Sequence, residues 1–234
     1  LNSALIIENK KVVEIIPEEK IDPETEQIVL AGGLLTAGFV DLQVNGGGGV
    51  LFNDNPSLEN LKTICEAHAK LGTTSIMPTL ISDSPELNKK ATLAITDALG
   101  QQINGLVGLH LEGPHLALAR KGAHKEDFIR PMQEFDCLEL ESLANKVPNL
   151  MLTVAPEAVS SEQITRLSKV GAIISLGHTD CTFNQAADAV HAGATCATHL
   201  FNAMSPLGGR EPGLVGAVLD TGKLFSGIIA DGFH

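Results

Sequence analysis

The sequence predicts an α/β fold built from repeated strand–helix units, preceded by a small β element. From Gly38 onward, short apolar runs recur about 30 residues apart, which is the length of a strand–helix–strand unit. Polar residues able to bind a metal stand at the ends of several of these runs. Chemistry gathered at the carboxyl ends of many parallel strands favours a (β/α)8 barrel of the TIM type, with an open doubly wound sheet as the alternative.

Residues 1–36 predict the N-terminal part of a small β domain. Apolar residues alternate between Leu1 and Ile16 around Glu8-Asn9-Lys10-Lys11, a pattern typical of a β-hairpin. The segment Ile28–Leu30 predicts one more short strand. Because so few strands cannot form a stable layer alone, we expect the remainder of this domain to come from another part of the protein.

Residues 37–234 predict the barrel itself, incomplete at its C-terminus. Seven apolar runs are expected to form parallel strands: Phe39–Val44, Thr74–Ile81, Leu106–Leu111, Leu150–Ala155, Ala172–Leu176, Ala194–Phe201 and Leu224–Ala230. An eight-stranded barrel of this type usually takes about 250 residues by itself. We therefore expect the eighth strand to be missing from this chain and to follow His234.

The segments between these runs carry helix start and stop signals. Ser84-Pro85-Glu86 places a cap before a proline at the first helical position, and Thr182–Gln185 reads as a capping box. Glycines follow the predicted helix ends at Gly72, Gly100, Gly171 and Gly193. Repeated strand–helix units imply a parallel sheet with right-handed crossovers.

Composition narrows the function classes. The formal net charge is −12, so nucleic acid and anionic membranes are not expected partners, because both require a basic face. The four cysteines show no paired spacing, and we expect them to be reduced core residues: Cys65, Cys137, Cys181 and Cys196. With no signal-like segment and no apolar run of membrane-spanning length, the sequence predicts a soluble cytoplasmic protein.

Three residues at strand ends form a candidate metal site. Glu112 follows one apolar run, His178 a second and His199 a third, and a carboxylate with two imidazoles suits one divalent transition metal. Each has an ordinary alternative: Glu112 as half of a salt bridge, and each histidine as a structural group. An unpaired buried carboxylate would be costly, so Glu112 needs a metal or a cation in either case.

Recognition of a phosphate would need local positive charge in this acidic chain. Arg210 offers a planar fork that binds phosphate oxygens in pairs, although it also fits an ordinary surface arginine. His124 lies on another predicted rim loop. The chain contains no Trp or Tyr, so sugar recognition would rest on hydrogen bonds and the phosphate instead of large amphipathic rings.

Six motifs together resemble a known family. They are Gly38–Gly46, His110–Pro114, Gly177–Thr179, His199–Met204, Gly209–Gly213 and Ala230–His234. In this order, and across the whole chain, they are similar to the N-acetylglucosamine-6-phosphate deacetylase family of the amidohydrolase superfamily. The resemblance implies a β-sandwich as the small domain, completed by C-terminal strands.

The resemblance also implies a role for each site residue. The metal ligands would be Glu112, His178 and His199; the phosphate would contact Asn202, Ala203 and Arg210; Ala123 and His124 would lie near the sugar; and His234 would contact the substrate carbonyl. Many amidohydrolases have His-x-His at the first strand, where this chain has Gln43-Val44-Asn45. Since amides are poor ligands for zinc or iron, we expect one metal, zinc in the first place and iron as the alternative, with Gln43 supporting its water.

The expected activity is the metal-dependent deacetylation of N-acetylglucosamine 6-phosphate, a step of amino sugar catabolism, by a homodimer. No catalytic acid–base residue is expected in this chain, because the family's aspartate would lie beyond His234. One alternative is another amidohydrolase that acts on a cyclic amide, although the His-x-His pair and bridging carboxylated lysine of such enzymes are not evident. Others are a metal-free sugar-phosphate isomerase and a non-catalytic sugar-phosphate-binding fragment.

Overall fold

The computed structural model describes residues 3–233, and its contacts divide the chain into two compact units, Leu1–Ala37 and Gly38–His234. In the first unit, β1 (Ser3–Glu8) and β2 (Lys11–Pro17) pair antiparallel. Asn9 and Lys10 form the turn between them, with φ angles of 51° and 64°. Two left-handed residues are the geometry of a tight two-residue hairpin turn, so the predicted hairpin is confirmed over the described residues.

The predicted strand Ile28–Leu30 is wrong. These residues belong to no strand, and their relative exposures are 86%, 87% and 59%. After β2 the chain forms only a short 3₁₀ turn, Glu18–Lys20, within the described part of this unit. Strand propensity alone does not hold a short apolar run extended, because a strand also needs a neighbour to bond and a surface to cover.

The second unit contains one parallel sheet of seven strands in the described residues. The strands are β3 (Phe39–Val44), β6 (Thr73–Ile81), β7 (Leu109–Glu112), β8 (Leu150–Val154), β9 (Ile173–Leu176), β10 (Ala194–Ala197) and β11 (Phe225–Ser226). They neighbour one another in chain order. A small hairpin, β4 (Gly46–Gly47) with β5 (Val50–Leu51), follows β3. All seven predicted parallel strands are therefore found.

The sheet curls strongly. The hydroxyls of Thr153 on β8 and Thr198 beyond β10 are 2.6 Å apart, although β9 lies between these strands. In a flat sheet, two strand spacings amount to about 9.6 Å, more than two short threonine side chains can bridge. Curvature therefore brings alternate strands together on the inner face.

Residues 3–233 form six α-helices: α1 (Leu58–Ala69), α2 (Pro85–Gly100), α3 (Glu134–Ala144), α4 (Ser161–Lys169), α5 (Phe183–Ala192) and α6 (Gly213–Thr221). The predicted caps are confirmed: Ser84 accepts a hydrogen bond from the Leu87 N–H, and Thr182 forms a capping box with Gln185. Gly193 ends α5 with a φ of 122°. Short 3₁₀ turns span Leu118–Arg120 and Glu126–Phe128.

The core lies between the sheet and these helices. Every residue of β8 is buried, as expected for a parallel strand covered on both faces. Helix α1 buries Leu61, Ile64 and Cys65, the stripe of an amphipathic helix packed on a sheet. The four cysteines are free and buried, as predicted. Among residues 3–233, no helix combines the length and the apolar character needed to cross a membrane.

Candidate metal centre and active site

Four side chains from separate strands meet at one end of the curled sheet. The Glu112 Oε1 atom lies 3.1 Å from His178 Nε2 and 3.1 Å from His199 Nε2. The two imidazole Nε2 atoms are 3.2 Å apart. The Nε2 of Gln43 donates to the same Glu112 oxygen at 3.0 Å. The structure therefore brings together the three predicted metal ligands and the residue predicted to support the water.

The backbone turns sharply to bring the two histidines inward. The predicted strand Ala194–Phe201 ends early, at Ala197, and His199 has a φ of 35°. His178, just beyond β9, has a φ of 47°. Left-handed backbone at a residue other than glycine is uncommon and concentrates at functional sites. Here it ends the strands and directs both imidazoles toward Glu112.

The geometry of these donors fits a divalent transition metal. Ligand atoms about 2.0–2.1 Å from a tetrahedral zinc ion lie about 3.3 Å from one another. The three separations among Glu112, His178 and His199 are 3.1, 3.1 and 3.2 Å. Two ring nitrogens and a carboxylate oxygen this close need a positive charge between them, either shared protons or a metal ion.

A hydrogen bond to the backbone sets the tautomer of His178. The Nδ1–H of His178 donates to the Arg120 carbonyl at 2.7 Å, which leaves the Nε2 lone pair facing Glu112 in the neutral ring. Nδ1 of His199 is buried and has no hydrogen-bond partner among the described residues. Both rings can thus present Nε2 to a common ion.

His124 also enters this cluster. Its Nε2 lies 3.6 Å from Glu112 Oε2, and its ring stands edge-on to His178 with centroids 4.5 Å apart. Glu112, His124 and His178 form a group whose donor atoms lie within 4.8 Å of one another. However, the Ser82 N–H donates to His124 Nδ1 at 3.2 Å, so the neutral ring carries its proton on Nε2. This tautomer favours a hydrogen-bond donor over a metal ligand.

Glu112 is ionised in this setting. Burial raises the pKa of Glu112, but hydrogen bonds from His124 and, when they carry a proton on Nε2, from His178 and His199 outweigh it and hold that pKa well below its usual range. Burial lowers the pKa of His199, yet the hydrogen bond and charge of Glu112 outweigh it and raise that pKa overall. A buried carboxylate held as an anion is ready to bind a cation.

The residues expected near the phosphate lie on the loop after His199. Arg210 is exposed and forms no hydrogen bond or ion pair with another described residue. Asn202 and Ala203 are half-buried, and the Asn202 N–H already donates to the His199 carbonyl at 2.9 Å. Ala123 is exposed. His234 lies outside the described residues.

This loop is fastened to the loop that follows His178. The Ser205 hydroxyl donates to the Cys181 carbonyl at 2.6 Å and accepts from the Leu214 N–H at 2.7 Å. The Glu211 carboxylate accepts from the Phe183 N–H at 2.7 Å and from the Gly213 N–H at 3.0 Å. The backbones on either side of Arg210 are therefore held in place, while its side chain stays exposed.

A buried polar row beneath the metal site was not predicted. We call His110, Thr153, Thr198 and Ser175 the hydroxyl row, in which neighbouring side-chain atoms are 2.7, 2.6 and 2.7 Å apart. His110 also donates from Nδ1 to the Leu42 carbonyl at 2.9 Å. The sequence carried one signal: His110 and Glu112 stand two residues apart on β7 and so face the same side.

Comparison with known proteins places this site in a family context. The sequence model of the Amidohydrolase family matches residues 34–234. An N-acetylgalactosamine-6-phosphate deacetylase of Shewanella sp. (strain ANA-3) is 44% identical over 205 residues, covering 88% of this chain and 52% of the relative. An N-acetylglucosamine-6-phosphate deacetylase of Haemophilus influenzae is 41% identical over 236 residues, covering 99% of this chain and 60% of the relative.

A solved structure has the same fold. The crystal structure of N-acetylglucosamine-6-phosphate deacetylase from Pasteurella multocida superposes with a TM-score of 0.94 at 40% identity, covering 100% of this chain and 61% of that one. This agreement confirms the barrel-type α/β fold predicted from the sequence. The chain spans only 52% and 60% of the length of the two curated relatives.

Proposed function

The chain belongs to the amidohydrolase family, and from this premise we propose that the complete protein is a metal-dependent hydrolase that deacetylates N-acetylglucosamine 6-phosphate. Water would cleave the amide C–N bond and give glucosamine 6-phosphate and acetate. The observation that carries this proposal is the meeting of Glu112, His178 and His199 at 3.1–3.2 Å. The named deacetylases among its relatives supply the substrate class.

The proposed metal ligands are Glu112 Oε1, His178 Nε2 and His199 Nε2, with one ion per subunit, zinc first and iron as the alternative. When bound, such a metal supplies Lewis-acid polarisation and activates water. Gln43 would hold the Glu112 carboxylate through its 3.0 Å hydrogen bond and is placed to support the water. Positions 43 and 45 are occupied by Gln43 and Asn45 instead of a histidine pair. This argues against a second metal and against the cyclic-amide hydrolases.

Substrate contacts follow from the rim of the site. His124 would use its Nε2–H to donate a hydrogen bond to the substrate. Ala123 would lie beside the sugar. Arg210 would bind the phosphate, because it is an exposed guanidinium on a fastened loop, and Asn202 and Ala203 would complete that contact. His234 keeps its expected role as donor to the substrate carbonyl. The acid–base carboxylate is still expected beyond this chain.

A second candidate substrate is the C4 epimer, N-acetylgalactosamine 6-phosphate. The specific observation in its favour is the 44% identity to a deacetylase named for that compound. We further propose a cytoplasmic homodimer. The four buried free cysteines suit a reducing compartment, and light scattering of the purified protein tests the dimer.

The test is acetate release from both phosphorylated sugars and from plain N-acetylglucosamine, with metal content measured on the same complete protein. We expect about one metal per subunit and turnover only with phosphorylated substrates. His199→Ala should lose both metal and activity. Arg210→Ala should keep the metal and raise KM for the phosphorylated sugar, because it removes only a substrate contact. Equal turnover of plain N-acetylglucosamine would contradict the phosphate role, and two tightly bound metals would contradict the site.

A further inference from the structure

We propose that Arg120 and Asp180 are positioning residues that hold His178 in the orientation in which it binds the metal. The inference rests on the proposed metal site. Among the described residues, neither side chain forms a hydrogen bond or ion pair with Glu112 or His199.

The segment 117–122, which we call the clamp loop, grips His178 from two sides. The Ala117 N–H donates to the His178 carbonyl at 2.9 Å. The Arg120 carbonyl accepts from His178 Nδ1 at 2.7 Å. The first bond fixes the backbone of His178, and the second fixes the rotation and tautomer of its ring. The metal-binding geometry of His178 therefore depends on where the clamp loop lies.

The side chain of Arg120 connects the clamp loop to Asp180. Its Nε and Nη2 atoms donate to Asp180 Oδ1 at 2.9 and 2.7 Å. Asp180 stands two residues after His178, and its own N–H donates to Glu157 Oε1 at 2.7 Å. Arg120 therefore contacts this segment at two points: its carbonyl bonds the His178 ring, and its guanidinium bonds Asp180. Because Asp180 is only two residues from His178, the ion pair holds the Arg120 carbonyl beside the ring.

The loop fits the imidazole closely, so a displacement of the loop is transmitted to the ring. Gly122 has a left-handed φ of 55°, and a Cβ placed on it would lie 3.2 Å from His178 Cε1. The side chains of Arg120 and Asp180 are 35% and 51% exposed. They can therefore be substituted without opening a cavity in the core.

The expected effect is modest and lies in metal affinity. Loss of a group bonded directly to a metal-binding histidine typically weakens metal binding about 10- to 100-fold. An exposed ion pair typically changes an equilibrium constant by about 1.4- to 5-fold. Because the Arg120 side chain acts through its own backbone, we expect Arg120→Ala to weaken metal binding about two- to fivefold.

The experiment measures the dissociation constant of Zn²⁺ by competition with a chelator, in the complete protein and in Arg120→Ala, Asp180→Asn and the double variant. The matched control is Arg166→Ala. Arg166, on α4, is another partly exposed arginine, and its ion pairs at 2.9 Å are with Glu134 and Glu141 of α3, not with the clamp loop. Thermal stability of the metal-free protein is measured for each variant.

We expect both single variants to weaken Zn²⁺ binding, the double variant to add nothing further, and Arg120→Lys to recover part of the affinity. Arg166→Ala should leave the Zn²⁺ affinity unchanged, even where it lowers thermal stability. If Arg120→Ala and Arg166→Ala shift the affinity equally, the positioning role is wrong. If His199→Ala retains Zn²⁺, the proposed metal site itself fails, which is a separate outcome.

Discussion

Thr153→Val tests whether the hydroxyl row stabilises the fold. Valine nearly matches threonine in shape, so the substitution removes one hydroxyl without creating a cavity. Thr153 is completely buried, and its hydroxyl lies 2.7 Å from His110 Nε2 and 2.6 Å from the Thr198 hydroxyl.

The direction of each hydrogen bond sets the size of the effect. Because His110 donates from Nδ1 to the Leu42 carbonyl, its Nε2 must accept, and the Thr153 hydroxyl must be the donor. Thr153→Val leaves the Nε2 acceptor buried and unpaired, at a cost of about 1–3 kcal/mol, and removes a second bond worth about 1 kcal/mol. We expect a loss of about 2–4 kcal/mol in the free energy of unfolding.

The assay is urea unfolding of the metal-free protein, so that metal binding does not contribute to the result. The matched control is Thr92→Val on α2, where the hydroxyl bonds only to the Asn88 carbonyl of its own helix. There we expect a change within about 0.5 kcal/mol. If Thr153→Val costs no more than this control, the hydroxyl row contributes no stability and the assigned bond directions are wrong.

Two further predictions concern a glycine and an ion pair. Gly113→Ala should destabilise the protein by about 2 kcal/mol or more, because Gly113 has a φ of 81° and a Cβ there would overlap the Ser82 hydroxyl. The control is Gly209→Ala, where an added Cβ would have no atom within 4 Å. This control should leave the stability unchanged in the same thermal melts. Burial raises the pKa of Asp136, but hydrogen bonds from Arg130 and the backbone outweigh it and lower that pKa below 3.8. The stabilisation from Asp136 is therefore present above its unfolded-state pKa of 3.8 and is lost as the pH falls through its lower folded-state pKa, so Asp136→Asn should remove this part of the acid dependence in unfolding titrations from about pH 5 down to about pH 1.

The sheet could be predicted because each strand is a compact apolar run between clear helix signals. Strand ends were less predictable: the predicted strand Ala194–Phe201 includes Leu200 and Phe201, although the backbone has already left the sheet after Ala197. The prediction of a strand at Ile28–Leu30 was wrong for a different reason. An apolar run forms a strand only where a partner strand exists, and this segment has none among the described residues. Pairing partners distant in the sequence leave no local signal.

The meeting of Glu112, His178 and His199 could be predicted from residue type and position, since all three follow apolar runs in a parallel sheet. The outer contacts could not. Arg120 holds His178 through a backbone carbonyl, which every residue type has, so no side chain at that position indicates the role. His110 was visible as a histidine, but its partners lie on strands that only the curl of the sheet brings near.

The hydroxyl row also helps to fix the register of the strands. Its donors all point the same way, from Ser175 through Thr198 and Thr153 to His110 and on to the Leu42 carbonyl. Sliding any one of these strands by a single residue would turn its polar group away from the interior and leave its neighbour buried without a partner. Apolar residues on the same face would tolerate such a slip far better. The hydroxyl row thus favours the correct strand alignment over alignments shifted by one residue. The same alignment sets the spacing of Glu112, His178 and His199 at the strand ends.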